Sequence, residues 1–205
     1  MQRWVIDLVR ADGELVEVQT GGFGPLGDKL DALLDTHRMR IVHPVPARRW
    51  VVRTDADGRV LSRRRSPRPA AATDLFHPLV AIPTLLGHPH LVVEVLLVEE
   101  EHVRGPAPVR TCRRRRDPGE RRLVGILDRH ELREPEDVLA LLGPRLPAGE
   151  FTTAELAVAL SVPLVLAQRI AFCLRYLELA EQVGRRGHAP LYRRSRTAPA
   201  ARPPF

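Results

Sequence analysis

The chain has little of what marks secreted or membrane proteins. Only two cysteines, Cys112 and Cys173, occur in 205 residues. Two are too few for a disulfide framework and favour a reducing compartment. The longest apolar run, residues 91–98, is broken by Glu94, and the first ten residues carry three charges, unlike a signal peptide. We therefore expect a soluble, cytoplasmic protein.

Lysine is almost absent, and aromatic residues make up only 4% of the chain. Lys29 is the only lysine beside 31 arginines, and the formal net charge is +7. Arginine holds phosphate through a planar, bidentate fork, so this excess indicates a polyanionic partner such as nucleic acid. A GC-rich coding sequence also produces this composition, and both explanations can hold together.

The stretch from Phe151 to Arg194 is the most organised part of the sequence. Thr152 and Glu155 have the spacing of a capping box, which predicts a helix from Thr153. Ser161 and Val162 interrupt the apolar pattern, and Pro163 is tolerated only in the first turn of a new helix. The second helix is predicted to bury one face, made of Ala167, Ile170, Ala171, Leu174 and Leu177.

A hairpin is predicted to follow, with residues 181–183 and 189–193 flanking the turn Gly184-Arg185-Arg186-Gly187. This order of parts resembles the winged helix family, in which the second helix enters the DNA major groove and the wing contacts phosphate. Residues 164–166, at the start of that helix, are apolar and cannot form hydrogen bonds with base edges. The resemblance implies nucleic-acid contacts from Gln168, Arg169, Arg175, Arg185, Arg186 and Arg193. A winged helix used for protein contact or dimerisation is the alternative.

The N-terminal part is predicted to be an α/β (or α+β) domain with a mixed sheet. The spacing of its apolar residues changes between the period of a strand and that of a helix. Pro44 and Pro46 are predicted to close one strand. Pro78 and Pro83 are predicted to split the second helical segment. The predicted elements are a hairpin over 3–18, a helix over 25–36, strands over 39–43, 49–54 and 59–62, a split helix over 73–86 and a central strand over 91–98.

Residues 25–100, with the phrase GRVLSRRRSPR at the third strand, resemble the core of the PD-(D/E)XK nuclease superfamily. Active members hold magnesium with a carboxylate and a Glu-x-Lys, but residues 62–64 here are Ser-Arg-Arg. The remaining carboxylates, Asp28, Asp31, Asp55, Asp57 and Glu94, do not form a site by spacing alone. We therefore expect no catalytic residue, metal or cofactor, with Arg63, Arg64 and Arg65 either contacting phosphate or simply solvated. A divergent metal-dependent nuclease remains the alternative.

These patterns divide the chain into four parts and indicate a nucleic-acid-binding protein, with double-stranded DNA as the expected partner and a regulatory role. The whole chain resembles a bacterial protein family, and a homodimer is compatible with the sequence. We expect that the protein is not an enzyme. The predicted parts are an α/β domain over 1–104, an Arg/Pro-rich linker over 105–119, a winged helix domain over 120–194 and a disordered tail over 195–205.

Overall fold

The computed structural model describes residues 4–67, 70–105 and 119–195, which fall into two compact units. Of the described residues, the first unit contains 4–43, 73–95 and 130–195, and the second unit contains 44–67, 70–72, 96–105 and 119–129. The division differs from the predicted one, because the chain passes between the two units several times. Three long strands each begin in one unit and end in the other.

The larger sheet has six strands and is mixed, which confirms an α/β fold with a mixed sheet. The strand order is β1-β2-β3-β5-β6, with β4 paired to β3. β1 is antiparallel to β2, β2 is parallel to β3, and β4 is antiparallel to β3. The strands are β1 (Leu8–Val9), β2 (Leu15–Val18), β3 (Met39–Thr54), β4 (Val60–Arg65), β5 (Leu91–Arg104) and β6 (Glu120–Leu132).

The helices described in the structure belong to the first unit, and most begin where proline or a capping residue predicts. They are α1 (Gly27–Leu33), α2 (Phe76–Leu79), α3 (Pro135–Leu142), α4 (Thr153–Leu160) and α5 (Leu164–Tyr176). Short 3-10 turns precede α1 and flank α2, so the predicted segment 73–86 is split, as its two prolines indicated. A second sheet, of order β7-β9-β8, contains β7 (Phe151–Thr152), β8 (Ala180–Arg186) and β9 (Ala189–Arg194).

Pro44 and Pro46 do not end a strand, contrary to the prediction, because β3 runs on through both to Thr54. The carbonyl oxygens of Val42 and Pro46 accept bonds from Gln19 and Ala70, so the backbone groups of the even-numbered residues from 42 to 46 point to one edge of β3. On that edge β2 pairs only as far as Val42, and the register with β4 begins at Trp50. Both prolines therefore lie where no neighbouring strand needs their missing N–H.

Residues 120–132 form β6 of the larger sheet, which corrects the predicted domain boundary at residue 120. The strand is hydrogen-bonded to β5, a partner that no local pattern could identify. Of the predicted linker, residues 106–118 lie outside the described part of the chain, and so does the predicted tail from residue 196 onward.

No single helix in the described ranges is long and apolar enough to cross a membrane, and α4 with α5 satisfies the length and composition only as a pair bent by 109°.

Candidate nucleic-acid interface

Two helices joined by a short turn form the centre of the candidate interface. The backbone N–H of Thr152 donates to Glu155 Oε2 at 2.8 Å, and the N–H of Glu155 donates to Thr152 Oγ1 at 3.3 Å, so the predicted capping box forms at the start of α4. Ser161, with φ of 57°, ends α4 in the left-handed region, and Pro163 caps α5. The two helix axes are bent by 109° at this turn.

One face of α5 is buried in the first unit and fixes the orientation of the helix. The five positions predicted to face inward are all buried, which confirms that face. Cys173 also lies there, and burial raises the pKa of its thiol to about 12. A thiol held protonated to that degree is a packing residue rather than a nucleophile.

The opposite face of α5 is exposed and alternates between apolar and polar side chains. Leu164 and Val165 are exposed at its start, and the rings of Phe172 and Tyr176, exposed near its end, lie 4.4 Å apart. Gln168, also exposed, lies one turn from Leu164 and one turn from Phe172. The exposed apolar side chains therefore form two patches, one at each end of the helix.

Arg169, predicted to contact nucleic acid, bonds instead to α2. Its Nη1 lies 2.8 Å from His77 Nδ1 and donates to the His77 carbonyl oxygen at 3.1 Å. Because a guanidinium only donates, Nδ1 of His77 is the acceptor, and the ring proton is on Nε2. Arg169 is half-buried and links α5 to α2.

The hairpin of β8 and β9 turns later than predicted. The turn is at Gly187 and His188, with Gly187 at φ of 62°, and Arg185 and Arg186 are the last residues of β8. They pair in register with Pro190 and Ala189. A two-residue turn with a glycine in the left-handed region suffices for a hairpin, so the two arginines lie on the strand and point to opposite faces of it.

Ion pairs engage some of the hairpin arginines. Arg186 pairs with Glu155 on α4, and Arg193 pairs with Glu181 at 2.9 Å. The pKa of Glu155 lies below its ordinary value because the backbone N–H and then the hydroxyl of Thr152 donate to it, with a smaller contribution from the adjacent Arg186. Arg175 and Arg185, by contrast, are exposed, and neither has an ion-pair partner within residues 4–67, 70–105 and 119–195.

The second unit contains the other predicted contacts, Arg63, Arg64 and Arg65, on β4. The guanidinium of Arg63 lies 3.9 Å from the centre of the Trp50 ring and its Nε donates to Glu101 at 2.9 Å. Arg64 and Arg65 are exposed. These arginines are the last three residues of β4 and pair with β3, and Arg63 is already bound on two sides.

The carboxylates considered for a nuclease site have other partners or are isolated. Asp55 Oδ1 accepts the backbone N–H groups of Asp57 and Arg59 and so holds the β3–β4 turn together. Asp28 and Asp31 are exposed on α1, and Glu94 is buried. Within the part of the chain that the structure describes, no three His, Cys, Asp or Glu side chains are grouped to hold a metal ion.

Arg40 is the centre of a buried charge network that was not predicted from the sequence. Its Nη1 lies 2.6 Å from Glu94 and 2.8 Å from Glu131, and its Nε lies 2.9 Å from Glu14. Arg10 and Arg133 bind the outer sides of Glu14 and Glu131. The network, defined as these three arginines and three glutamates, is balanced in charge and spans four neighbouring strands or their ends.

The pKa values of Glu14, Glu131 and Arg40 shift toward the charged forms. Burial by itself would raise the pKa of Glu14, but hydrogen bonds from Arg40 and Arg10 outweigh it and lower that pKa. The pKa of Glu131 is lowered in the same way by Arg40 and Arg133. Burial by itself would lower the pKa of Arg40, but its three carboxylate partners raise it instead. The signal for this network was visible in the sequence as single charges, Arg40 and Glu94, inside otherwise apolar strands.

No metal-dependent DNA cleavage is expected from the purified protein. Asp55 is bound to its own turn and Glu94 to Arg40, and guanidinium at residues 63–65 cannot ligate a hard cation. Supercoiled plasmid incubated with Mg²⁺ or Mn²⁺ is expected to stay uncut. Cleavage that disappears in Asp55→Asn would contradict this expectation and identify Asp55 as a metal ligand.

Comparison with known proteins identifies a family for the N-terminal two thirds of the chain. Residues 1–133 match the family described as a domain of unknown function, DUF8091, and the match ends one residue after β6. An uncharacterised protein of Treponema pallidum (strain Nichols) is 32% identical over 100 residues, which cover 49% of this chain and 40% of that protein. The aligned part is thus less than half of the relative. No solved structure matches the chain. The chain belongs to the DUF8091 family.

Proposed function

We propose that residues 135–195 form a winged helix that binds double-stranded DNA through the phosphate backbone. The observation that carries this proposal is the arrangement of α4 and α5, which are joined by three residues and bent by 109°. Helix-turn-helix pairs cross at about 90–120° with a turn of this length. The order α3, β7, α4, α5, β8, β9 and the sheet order β7-β9-β8 agree with the winged helix family.

Two exposed arginines supply the contacts to phosphate. Arg175 lies on α5 and Arg185 on the wing strand β8, and guanidinium binds phosphate through a bidentate fork. Arg186 and Arg193 are engaged with glutamates of the same unit, so they hold the wing in place and contribute less to DNA contact. The net charge of +7 adds long-range attraction to DNA.

The start of α5 argues for binding with little sequence preference. In the winged helix arrangement, this end of the helix meets the bases. Leu164 and Val165 are exposed there, and apolar side chains offer base edges only contact with thymine methyl groups. Gln168 is the first exposed polar side chain within α5. Backbone contacts therefore dominate the proposed affinity.

A second candidate function is protein docking by α5. The adjacent and exposed rings of Phe172 and Tyr176 favour it, because such rings are enriched at protein interfaces. The two candidates differ in their response to Phe172→Asp. A carboxylate on a DNA-facing helix repels phosphate and weakens DNA binding, whereas a DNA affinity unaffected by Phe172→Asp would show that this face does not contact DNA and would favour protein docking.

The test compares two double variants of the full chain by fluorescence anisotropy with a random-sequence duplex. Arg175→Ala/Arg185→Ala is expected to lower affinity about ten- to a hundredfold, since charge-assisted hydrogen bonds contribute about 1.5 kcal/mol or less each at exposed positions. Arg38→Ala/Arg48→Ala removes the same charge at two exposed arginines that already pair with Asp12 and Glu99. Equal losses of DNA affinity in both variants would show that net charge alone accounts for the change, and would contradict a specific winged helix surface.

A further inference from the structure

Strand β6 has an open edge in the second unit. It is the last strand in the order β1-β2-β3-β5-β6 and is hydrogen-bonded to β5 on one side. Among the residues that the structure describes, no strand pairs with its other side. Such an edge presents a row of backbone N–H and C=O groups that can pair with another chain.

The middle of this edge strand is apolar and exposed on both faces. Leu123, Val124, Ile126 and Leu127 are exposed, with Leu123 at 66%. Edge strands are normally protected by charged side chains, prolines or bulges. The run from Leu123 to Leu127 contains neither charge nor proline. This part of the edge therefore lacks the features that normally prevent pairing with another strand, as expected of an edge that forms an interface.

The sequence of β6 is self-complementary about Gly125. When two copies of the strand pair antiparallel about a two-fold axis at Gly125, each residue faces its mirror position in the second copy. Val124 faces Ile126, Leu123 faces Leu127, and Arg122 faces Asp128. Apolar and opposite-charge pairs directly across two strands are stabilising. Arg121 with Arg129 is like-charged, but both side chains are exposed, so solvent and salt screen the pair. Beyond it, Glu120 faces His130.

Each pair also lies on one face of the combined sheet, because directly opposite residues in antiparallel strands share a face. Leu123 with Leu127 covers one face, and Val124 with Ile126 covers the other, flanked by Arg122 with Asp128. Arg122 is bound in the single chain to Glu120, at 2.9 Å and 2.8 Å. In the pair it would lie between that glutamate and the aspartate of the second copy.

We propose that this edge binds a second copy of the same chain, with two β6 strands pairing antiparallel about Gly125 and the sheets of the two second units joined into one. The occupant is a second copy because the apolar and charged positions of the strand complement their own mirror images. In a closed two-fold pairing the open edges of both copies are hydrogen-bonded to each other. No free edge is left for a third copy, so association ends at a dimer.

Cysteine cross-linking tests the register, in a background with Cys112→Ser. Gly125→Cys places two thiols directly opposite, at Cα separations of about 4.5–5.5 Å, within the reach of a disulfide. A Cβ at Gly125 meets no atom of its own chain within 4 Å, so the substitution is tolerated. Oxidation is expected to convert most of this variant to a covalent dimer on non-reducing gels.

Arg121→Cys is the matched control on the same strand. Its two thiols would lie eight residues apart along the paired strands, about 27 Å, and no cross-link is expected. Cross-linking of both variants to the same extent would indicate random collision, and cross-linking of neither would exclude the register; either result would overturn the proposal.

Solution mass tests the association without oxidation. Wild-type protein is expected to sediment as a dimer, and Leu123→Lys as a monomer, because the lysine would face Leu127 of the second copy. Leu61→Lys is the control, since Leu61 lies on β4 of the same unit and is 67% exposed. It is expected to remain dimeric. A monomeric wild type, or a Leu61→Lys variant as dissociated as Leu123→Lys, would contradict pairing through β6.

Discussion

Replacing Arg40 by alanine is expected to lower the free energy of unfolding by about 3–5 kcal/mol. The substitution removes the guanidinium that lies between the buried carboxylates of Glu14 and Glu94. Two buried carboxylates that lose a shared cation must stay charged with less compensation or take up a proton, and both are costly. The loss approaches the whole stability of an ordinary domain, so the variant is expected to be partly unfolded at 37 °C.

Arg38→Ala is the control for this prediction. Arg38 lies two residues earlier, with its side chain 55% exposed and paired to Asp12 at 3.2 Å, whereas the Arg40 side chain is 7% exposed. An exposed ion pair contributes about 0–1 kcal/mol. Urea denaturation followed by circular dichroism measures both variants. Similar, small losses for Arg38→Ala and Arg40→Ala would show that the buried network contributes no more than a surface pair.

Binding of the protein to duplex DNA is expected to weaken steeply as salt is raised. Each phosphate neutralised by an arginine releases condensed counterions, which gives a slope of about −0.9 in log affinity against log salt. The two proposed contacts would lower the affinity about 12-fold between 50 and 200 mM salt. Anisotropy titrations across that range measure the slope. An affinity that does not change with salt would exclude backbone contacts as its source.

Local signals in the sequence predicted the C-terminal elements well. The capping box at Thr152 and Glu155 and the proline at the start of α5 both depend on residues a few positions apart. The buried face of α5 follows from a helical period over a single segment. These features can be predicted because the interactions that stabilise them are made within one element.

Pairings between distant residues could not be predicted in this way. β3 continues through Pro44 and Pro46 because the two prolines point to an edge where no strand pairs, and this edge exists only in the assembled sheet. β6 joins β5 across residues that lie outside the described structure. Each depends on which strands become neighbours, which a periodic pattern does not encode.

The candidate site shows the same division. Exposure of Gln168, Arg175 and Arg185 follows from helical and strand periods. The partners of Arg169 and Arg186 do not, because His77 is 92 residues away and Glu155 is 31 residues away in sequence. The sequence could therefore identify the basic side chains of the surface but not which of them the fold already uses.

The salt dependence of the Arg175→Ala/Arg185→Ala variant tests the proposed winged helix surface most directly. Loss of two phosphate contacts is expected to reduce the slope of log affinity against log salt by about 1.8 relative to wild type. Arg38→Ala/Arg48→Ala is expected to keep the wild-type slope, although it carries the same net charge. An unchanged slope in the Arg175→Ala/Arg185→Ala variant would contradict DNA binding through α5 and the wing.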